Sequence, residues 1–481
     1  MARSPTPSFD RRIVEAPLRG ALWRLAWPNI IQNFVASLQG MVDHAMVGHF
    51  VGYAGNAAIG VSWQIFLVVV VFVSSLYGGM GVLVARYAGA GNTRRVNRAV
   101  YQAFLTSVVL GVGILGPLGY LLTPALLDVV NAAPSVRQEA LPYLRVMFIG
   151  SIGMLLFFML GGALRAAGDA KTPMRLGIAM TLLNLTLSVV LIRGLGPIPA
   201  FGTTGAALGT VIAGGAVSLY AIYLLFTGRM VVQFDLRRED LMPDFQVIGA
   251  LFRFGLPTGF QGIVMNIGGV LLLRFIGSLP QSAAAQAAYA VGYNQLFSFV
   301  SFVGIGLMGA TSAVAGQNLG AQHPERTRAT PRAASGLALA LSVPIGLLFL
   351  LLPTHLLAIF DLTEPAARAL GIEFLGYLSV SAIFLVIALS YTGALQGTGD
   401  TKSPLYISLV SQLVLPLGLC FAFDRFSTLE AWHIWMAIVL GHVTRALLSV
   451  VRFRQEDWRN IEVDGATAAD ETELDPSTMV P

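Results

Sequence analysis

Twelve apolar runs, each long enough to cross a lipid bilayer, recur along the chain and leave its backbone a single solution. They centre near Asn33, Val69, Val109, Leu155, Leu183, Ala213, Val264, Phe299, Leu341, Phe384, Val414 and Ala437. About 20 residues at ~1.5 Å rise each cover the roughly 30 Å of hydrocarbon. Lipid offers no partner to backbone N–H and C=O groups, so each run must close its hydrogen bonds within itself, as a helix. The expected fold class is an all-α integral membrane protein of twelve transmembrane helices. Composition excludes soluble classes: of 481 residues, 55% are hydrophobic and only 11% charged, and the mean hydropathy is +0.72. The one cysteine, Cys420, sits in an apolar run and rules out an intramolecular disulfide.

The charges sort by loop. The leader (Arg11, Arg12, Arg19) and the loops after the second span (Arg86, Arg94, Arg95, Arg98) and the fourth (Arg165, Lys171, Arg175) are basic. So are those after the sixth (Arg229, Arg237, Arg238), eighth (Arg326, Arg328, Arg332) and tenth (Lys402), and the stretch after the twelfth (Arg452, Arg454, Arg459). The intervening loops hold only Arg137, Arg193, Arg368 and Arg425. By the positive-inside bias both termini are expected in the cytoplasm, as an even number of spans requires. The leader runs straight into a full-length span and is expected to act as a signal anchor. The net charge of +5 belongs to membrane-edge loops, so the expected surroundings are lipid and not nucleic acid. From Glu462 on there are acids and no base, the pattern of a disordered tail.

The first run, roughly Leu22 to Val47, carries a carboxylate where lipid-embedded helices seldom keep one. Asn29, Gln32, Ala36, Gln39 and Asp43 fall on one face at steps of three and four, opposite Ile30, Phe34, Leu38, Met41 and Val42. Such a stripe must turn towards other helices or a water-filled cavity. Burial disfavours a bare anion, so an acid there is expected to hold a proton or a small cation. The alternative is interhelical packing by the amides, with Asp43 at a solvated helix end.

The second half repeats the first. Gly162-Ala-Leu-Arg-Ala-Ala-Gly-Asp-Ala-Lys-Thr-Pro173 reappears as Gly393-Ala-Leu-Gln-Gly-Thr-Gly-Asp-Thr-Lys-Ser-Pro404. At the same offset Gly89 matches Gly320, Arg95 matches Arg326, and Gln64 and Phe66 match Gln295 and Phe297; Arg24, Pro28 and Gln32 answer to Arg253, Pro257 and Gln261. Two six-helix lobes that both start inside are parallel repeats, related by a pseudo-two-fold along the membrane normal with a cleft between them. The expected organisation is a leader (1–20), an N-lobe (21–227), a polar linker (228–249), a C-lobe (250–455) and an acidic tail (456–481). In the repeated loops, Asp169 and Asp400 suit helix N-termini, and Pro173 and Pro404 suit first turns, so the loops read as architecture.

Other residues admit two readings. Trp63 and Gln64 in the second span match the neighbourhood of Tyr293, Asn294, Gln295 and Phe297 in the eighth. With Gln32 and Gln39 of the polar stripe they form a candidate surface for flat organic cations, which aromatic faces attract by about 0.5–2 kcal/mol each. Trp and Tyr also anchor helices at headgroups. His44 points about 100° away from Asp43 and is expected to be a satisfied interface histidine. Glu139 and Glu373 are expected to cap the fourth and tenth spans. There is no phosphate-binding loop, no His/Cys metal spacing and no nucleophile constellation, so neither an enzyme nor a resident cofactor is expected.

Taken together, Met41-Val-Asp43-His-Ala-Met-Val-Gly48, the two Gly-Asp-x-Lys-[Thr/Ser]-Pro loops, Leu183-Asn184 and Gly202-Thr-Thr-Gly-Ala-Ala-Leu-Gly-Thr210 resemble the multidrug and toxic-compound extrusion (MATE) transporters over about residues 20 to 455. The resemblance implies a two-lobed, monomeric antiporter of the plasma membrane, the inner membrane of a bacterium. It would expel bulky, often cationic compounds in exchange for protons or sodium ions. It implies a coupling-ion site at Asp43 and Asn184, with Ser188 where relatives usually show Asp or Asn, and Thr210 as a further oxygen. In the C-lobe, positions where many relatives carry Glu and Asp are Met265 and Leu385, which puts a second ion site in doubt. Two rivals remain. A major-facilitator transporter should show Asp-Arg-x-Gly-Arg after the second span, where this chain has Arg86-Tyr-Ala-Gly-Ala-Gly-Asn-Thr-Arg-Arg95. A lipid-linked saccharide flippase should bury arginines, whereas here they are expected at membrane edges.

Overall fold

The computed structural model describes residues 9–233 and 242–463. Its long helices are α1 (Leu18–Phe50), α2 (Tyr53–Gly89), α3 (Thr93–Val129), α4 (Pro134–Ala166), α5 (Lys171–Arg193) and α6 (Gly202–Phe226). They continue with α7 (Phe245–Gly277), α8 (Ser282–Gly320), α9 (Pro324–Leu351), α10 (Pro365–Thr398), α11 (Lys402–Phe426) and α12 (Ala431–Arg454). Each contains one of the twelve apolar runs. Eleven are long and apolar enough to cross a membrane by length and composition alone. The exception is α1, whose 33 residues suffice in length but whose apolar run is interrupted by Asn29, Gln32, Asn33, Gln39 and Asp43. No strand occurs among the described residues. Most of the charged stretch expected to link the lobes (234–241) and the tail from 464 lie outside the described residues.

The twelve helices form two six-helix lobes, α1–α6 and α7–α12, with close contact between them. The repeat persists in the contacts. Arg165 Nη1 on α4 donates to Gln32 Oε1 on α1 at 3.4 Å, and at the matching place Gln396 Nε2 on α10 donates to Gln261 Oε1 on α7 at 3.1 Å. In the repeated loops Asp169 Oδ1 accepts from the Lys171 and Thr172 N–H groups, each at 3.0 Å. Asp400 Oδ1 accepts from the Ser403 N–H at 3.1 Å. The preceding Gly168 and Gly399 stand at φ +104° and +99°, a region that costs any residue with a Cβ. These loops serve as helix starts.

The lobes meet mainly in the half of the bundle nearest those loops. There α2 crosses α8 so closely that a Cβ on Gly89 would stand 1.9 Å from the Gln317 carbonyl oxygen, and one on Gly320 2.0 Å from that of Arg86. Gly79 and Gly255 play the same part between α2 and α7. The contact extends to the Phe34 and Phe299 rings, 5.7 Å apart. Beyond them, Leu38, Met41, Val42 and Phe50 of α1 are exposed. Two chain ends strap the contact. Ile13 is fully buried against Gly168, and its carbonyl accepts from Asn318 Nδ2 at 3.5 Å. Ile461 packs on Gly399, and its carbonyl accepts from Arg86 Nη2 at 2.7 Å.

The helices are not uniform. Wide π-helical turns interrupt α3 at Val109–Leu115, α8 at Ala290–Leu296 and α11 at Leu409–Val414. Such turns often mark functional positions, and the one in α8 carries Tyr293, Asn294 and Gln295.

Candidate functional site

Helix α1 brings Asp43 against α5. The two helices approach because α5 offers Gly177 to the Gln32 side chain, and because Thr181 Oγ1 donates to Gln39 Oε1 at 2.8 Å. One turn past Gln39, the Asp43 carboxylate faces Ser188 and Gln39, with His44 in electrostatic reach. Its Oδ1 is buried with no hydrogen-bond partner. Behind it, Thr181, Asn184 and Ser188 form a buried polar face of α5 at steps of three and four. Gly209 of α6 leaves room for Ser188, since a Cβ there would come within 2.8 Å of its Oγ.

The direction of the hydrogen bonds fixes what this face presents. Thr210 Oγ1 donates to the Ala206 carbonyl at 3.1 Å, so its oxygen can only accept from Asn184 Nδ2, at 3.0 Å. The Asn184 amide is thereby oriented, and its Oδ1 is left buried without a partner, as is Ser188 Oγ. Asp43 Oδ1 and Asn184 Oδ1 are thus two buried oxygens without a donor in one lobe, and the Ser188 hydroxyl, which carries a proton of its own, faces the Asp43 carboxylate. Buried polar groups of that kind are rare in native proteins. The set is chemically suited to a proton or a small cation.

The residues considered for cargo are distributed over α1, α2 and α8. Gln32 and Gln39 belong to the α1–α5 contact just described. Trp63, stacked on Phe66 at 6.0 Å, and Gln64 are exposed on α2, as is Asn294 on α8, while Gln295 is half-buried there. Tyr293 lies in the second lobe, stacked on Tyr289. Phe297 is fully buried, packed between Tyr293 and His442; its repeat mate Phe66 is equally buried, so this pair is core. His44 is exposed, with Nδ1 2.6 Å from Asn56 Oδ1, a partner of its own.

Two expectations need correction. Glu373 is not a helix cap: α10 is capped by Glu364, which accepts from the Ala367 N–H at 2.6 Å, and Glu373 lies beyond the first turn. Glu139 likewise sits more than a turn past the α4 start at Pro134. The second correction concerns the arginines, which do not all stay at membrane edges. Arg445, within α12, is 2% exposed. A lone basic residue in an apolar run reads as a snorkelling side chain, and only the packing of α8 and α10 on α12 reveals otherwise.

The MatE family model matches residues 28–190 and 257–422, one segment in each lobe. The chain belongs to the MATE family. "Probable multidrug resistance protein NorM" of Thermotoga maritima is 27% identical to it over 446 residues, 92% of this chain and 93% of that one. "Probable multidrug resistance protein NorM" of Deinococcus radiodurans is 28% identical, over 94% of this chain and 98% of its own. "Multidrug resistance protein MdtK" of Pectobacterium atrosepticum is 26% identical, over 89% and 94%. Among solved structures, a multidrug resistance MATE transporter of the MOP superfamily in an outward-facing conformation superimposes with a TM-score of 0.85 at 22% identity, over 95% of this chain and 98% of its own. A MATE in complex with MaL6 does so with 0.86 at 22%, over 94% and 99%. These MATE structures share the fold of twelve helices in two lobes, and the chain is a multi-pass membrane protein of that family.

Proposed function

We propose that this MATE protein is a multidrug efflux antiporter of the plasma membrane, in which ion binding at Asp43 drives the export of organic, often cationic compounds. The observation that carries the reading is the pair of donorless buried oxygens, Asp43 Oδ1 and Asn184 Oδ1, beside the Ser188 hydroxyl that faces the carboxylate. The multidrug resistance names of the NorM and MdtK relatives support the cargo class. The proton is the coupling ion in this reading, because one carboxylate suffices to carry it. Sodium is the alternative.

The basic loops lie in the cytoplasm, so the close contact of α2 with α7 and α8 shuts the cytoplasmic side and the conformation faces outward. The lobes exchange this state for one open inward. An anionic Asp43 favours a positive cargo; a proton arriving from outside removes that attraction, and the cargo leaves. A ligand shifts the equilibrium only by its differential affinity for the two states, and mutual exclusion of proton and cargo supplies that difference. The driving force is about 2.3 kcal/mol per charge per 100 mV and about 1.4 kcal/mol per pH unit. One proton per cycle thus sustains roughly a hundredfold or larger gradient of a neutral cargo, and less for a cation.

The test is efflux of a fluorescent organic cation from proteoliposomes, with pH and sodium gradients imposed separately. Export driven by the pH gradient alone is expected. A sodium-only response changes the ion, and export driven by neither gradient contradicts antiport.

A further inference from the structure

On the side of the basic loops, a groove of about 580 Å³ lies between the segment ahead of α1, the first turns of α1 and the loop joining α4 to α5. Trp23 and Trp27, one helical turn apart on α1, give it an apolar wall, and Trp23 is 44% exposed. The charged residues lining it are Asp10, Arg12, Arg24, Asp169 and Lys171, three cations against two carboxylates. Both carboxylates are already engaged. Asp10 accepts from Arg24 Nη1 at 2.8 Å and from the Arg12 N–H at 3.1 Å, and Asp169 accepts from the Lys171 and Thr172 N–H groups. The cations are less well matched. The Lys171 ammonium has no carboxylate partner among the described residues. The Arg12 side chain is 71% exposed, and its Nε comes only within 4.0 Å of Asp10.

The groove sits where the chain enters the first apolar run, so its tryptophans stand at the level of lipid headgroups, the depth that indole rings favour. Basic pockets at that level take anionic headgroups, each cation strengthening the attraction roughly fivefold. An organic cation would meet Arg12 and Lys171 as a repulsion, and both carboxylates that could attract it are engaged. We propose that this groove binds an anionic phospholipid, with Arg12 and Lys171 on its phosphate and with Trp23 and Trp27 against its glycerol and first acyl carbons. Because Asp10 and Arg12 belong to the strap ahead of α1, and Asp169 and Lys171 to the start of α5, one lipid touches both. The site involves neither Asp43 nor the coupling ion.

Native mass spectrometry of the purified full-length protein, with phosphatidylglycerol or phosphatidylcholine of matched acyl chains, tests this. Phosphatidylglycerol is expected to bind about tenfold more tightly, the scale of two cations on one anionic headgroup. Arg12→Gln combined with Lys171→Gln, at two exposed positions, is expected to erase that preference and leave the melting temperature unchanged. Arg94→Gln combined with Arg332→Gln removes the same charge from exposed positions of α3 and α9 and is expected to keep it. Glycerol phosphate in excess is expected not to displace the lipid; displacement would assign the groove to a soluble phosphate instead. A preference seen only after truncation at Val463 would assign it to the chain's own acidic tail. Equal affinity for the two lipids, or equal loss in both double variants, likewise overturns the proposal.

Discussion

Ser188 Oγ lies fully buried and faces the Asp43 carboxylate, so its hydroxyl contributes to Asp43 and to whatever Asp43 binds. Ser188→Ala, which removes one buried oxygen and leaves no large cavity, is expected to change thermal stability by no more than about 1 kcal/mol while weakening proton-driven transport several-fold. Matched melting and efflux measurements on one preparation check this. Disruption of the fold would make Ser188 a packing residue. Much of this lobe's site was legible in the chain. The spacing of Gln32, Gln39 and Asp43 put them on one helix face, and that of Thr181, Asn184 and Ser188 did the same on another. What spacing could not reveal is which atoms remain unpaired, because the Asn184 amide is oriented only by the Thr210–Ala206 bond in a different helix. Arg445 escaped for the same reason: burial is a property of neighbours, and its neighbours are remote in sequence.

At the level of helices, the repeat is closer in sequence than in packing. Gly162 and Gly393 open the same motif, yet a Cβ on Gly393 would meet the Met308 carbonyl oxygen at 2.3 Å, whereas one on Gly162 would find only Met80 Cε at 3.5 Å. Gly393→Ala is therefore expected to cost about 1–3 kcal/mol by forcing α10 away from α8. Gly162→Ala is expected to be neutral or to stabilise by up to about 1 kcal/mol, through helix propensity. Thermal unfolding of the two variants in one detergent compares them, and equal losses would contradict the asymmetry. The twelve helices and their order followed from hydropathy, because lipid leaves the backbone no other choice. The π-helical turns did not. Ala290–Leu296 is a wide turn, yet its repeat counterpart in α2 is part of a continuous α-helix, so the distinction comes from tertiary packing on similar sequence.

For the whole molecule, function in this account requires that the contact between lobes be firm and yet reversible. Gly89→Val is expected to separate α2 from α8, since its Cβ would stand 1.9 Å from the Gln317 carbonyl oxygen. Each lobe should remain folded. Spin labels at the loop ends of α2 and α8 should then report a longer distance on the side of the basic loops, with an unchanged elution profile. The straps at Ile13 and Ile461 add to the same contact, so Ile13→Ala combined with Ile461→Ala should move that distance in the same direction by less. Coupling in this protein depends on a single carboxylate, and Asp43→Asn keeps its shape while removing its charge and its proton. In proteoliposomes under an imposed pH gradient, this variant is expected to lose at least about tenfold of its efflux of a fluorescent cation, equivalent to about 1.4 kcal/mol, while melting as the unsubstituted protein does. Gradient-driven efflux undiminished in Asp43→Asn would contradict the central claim.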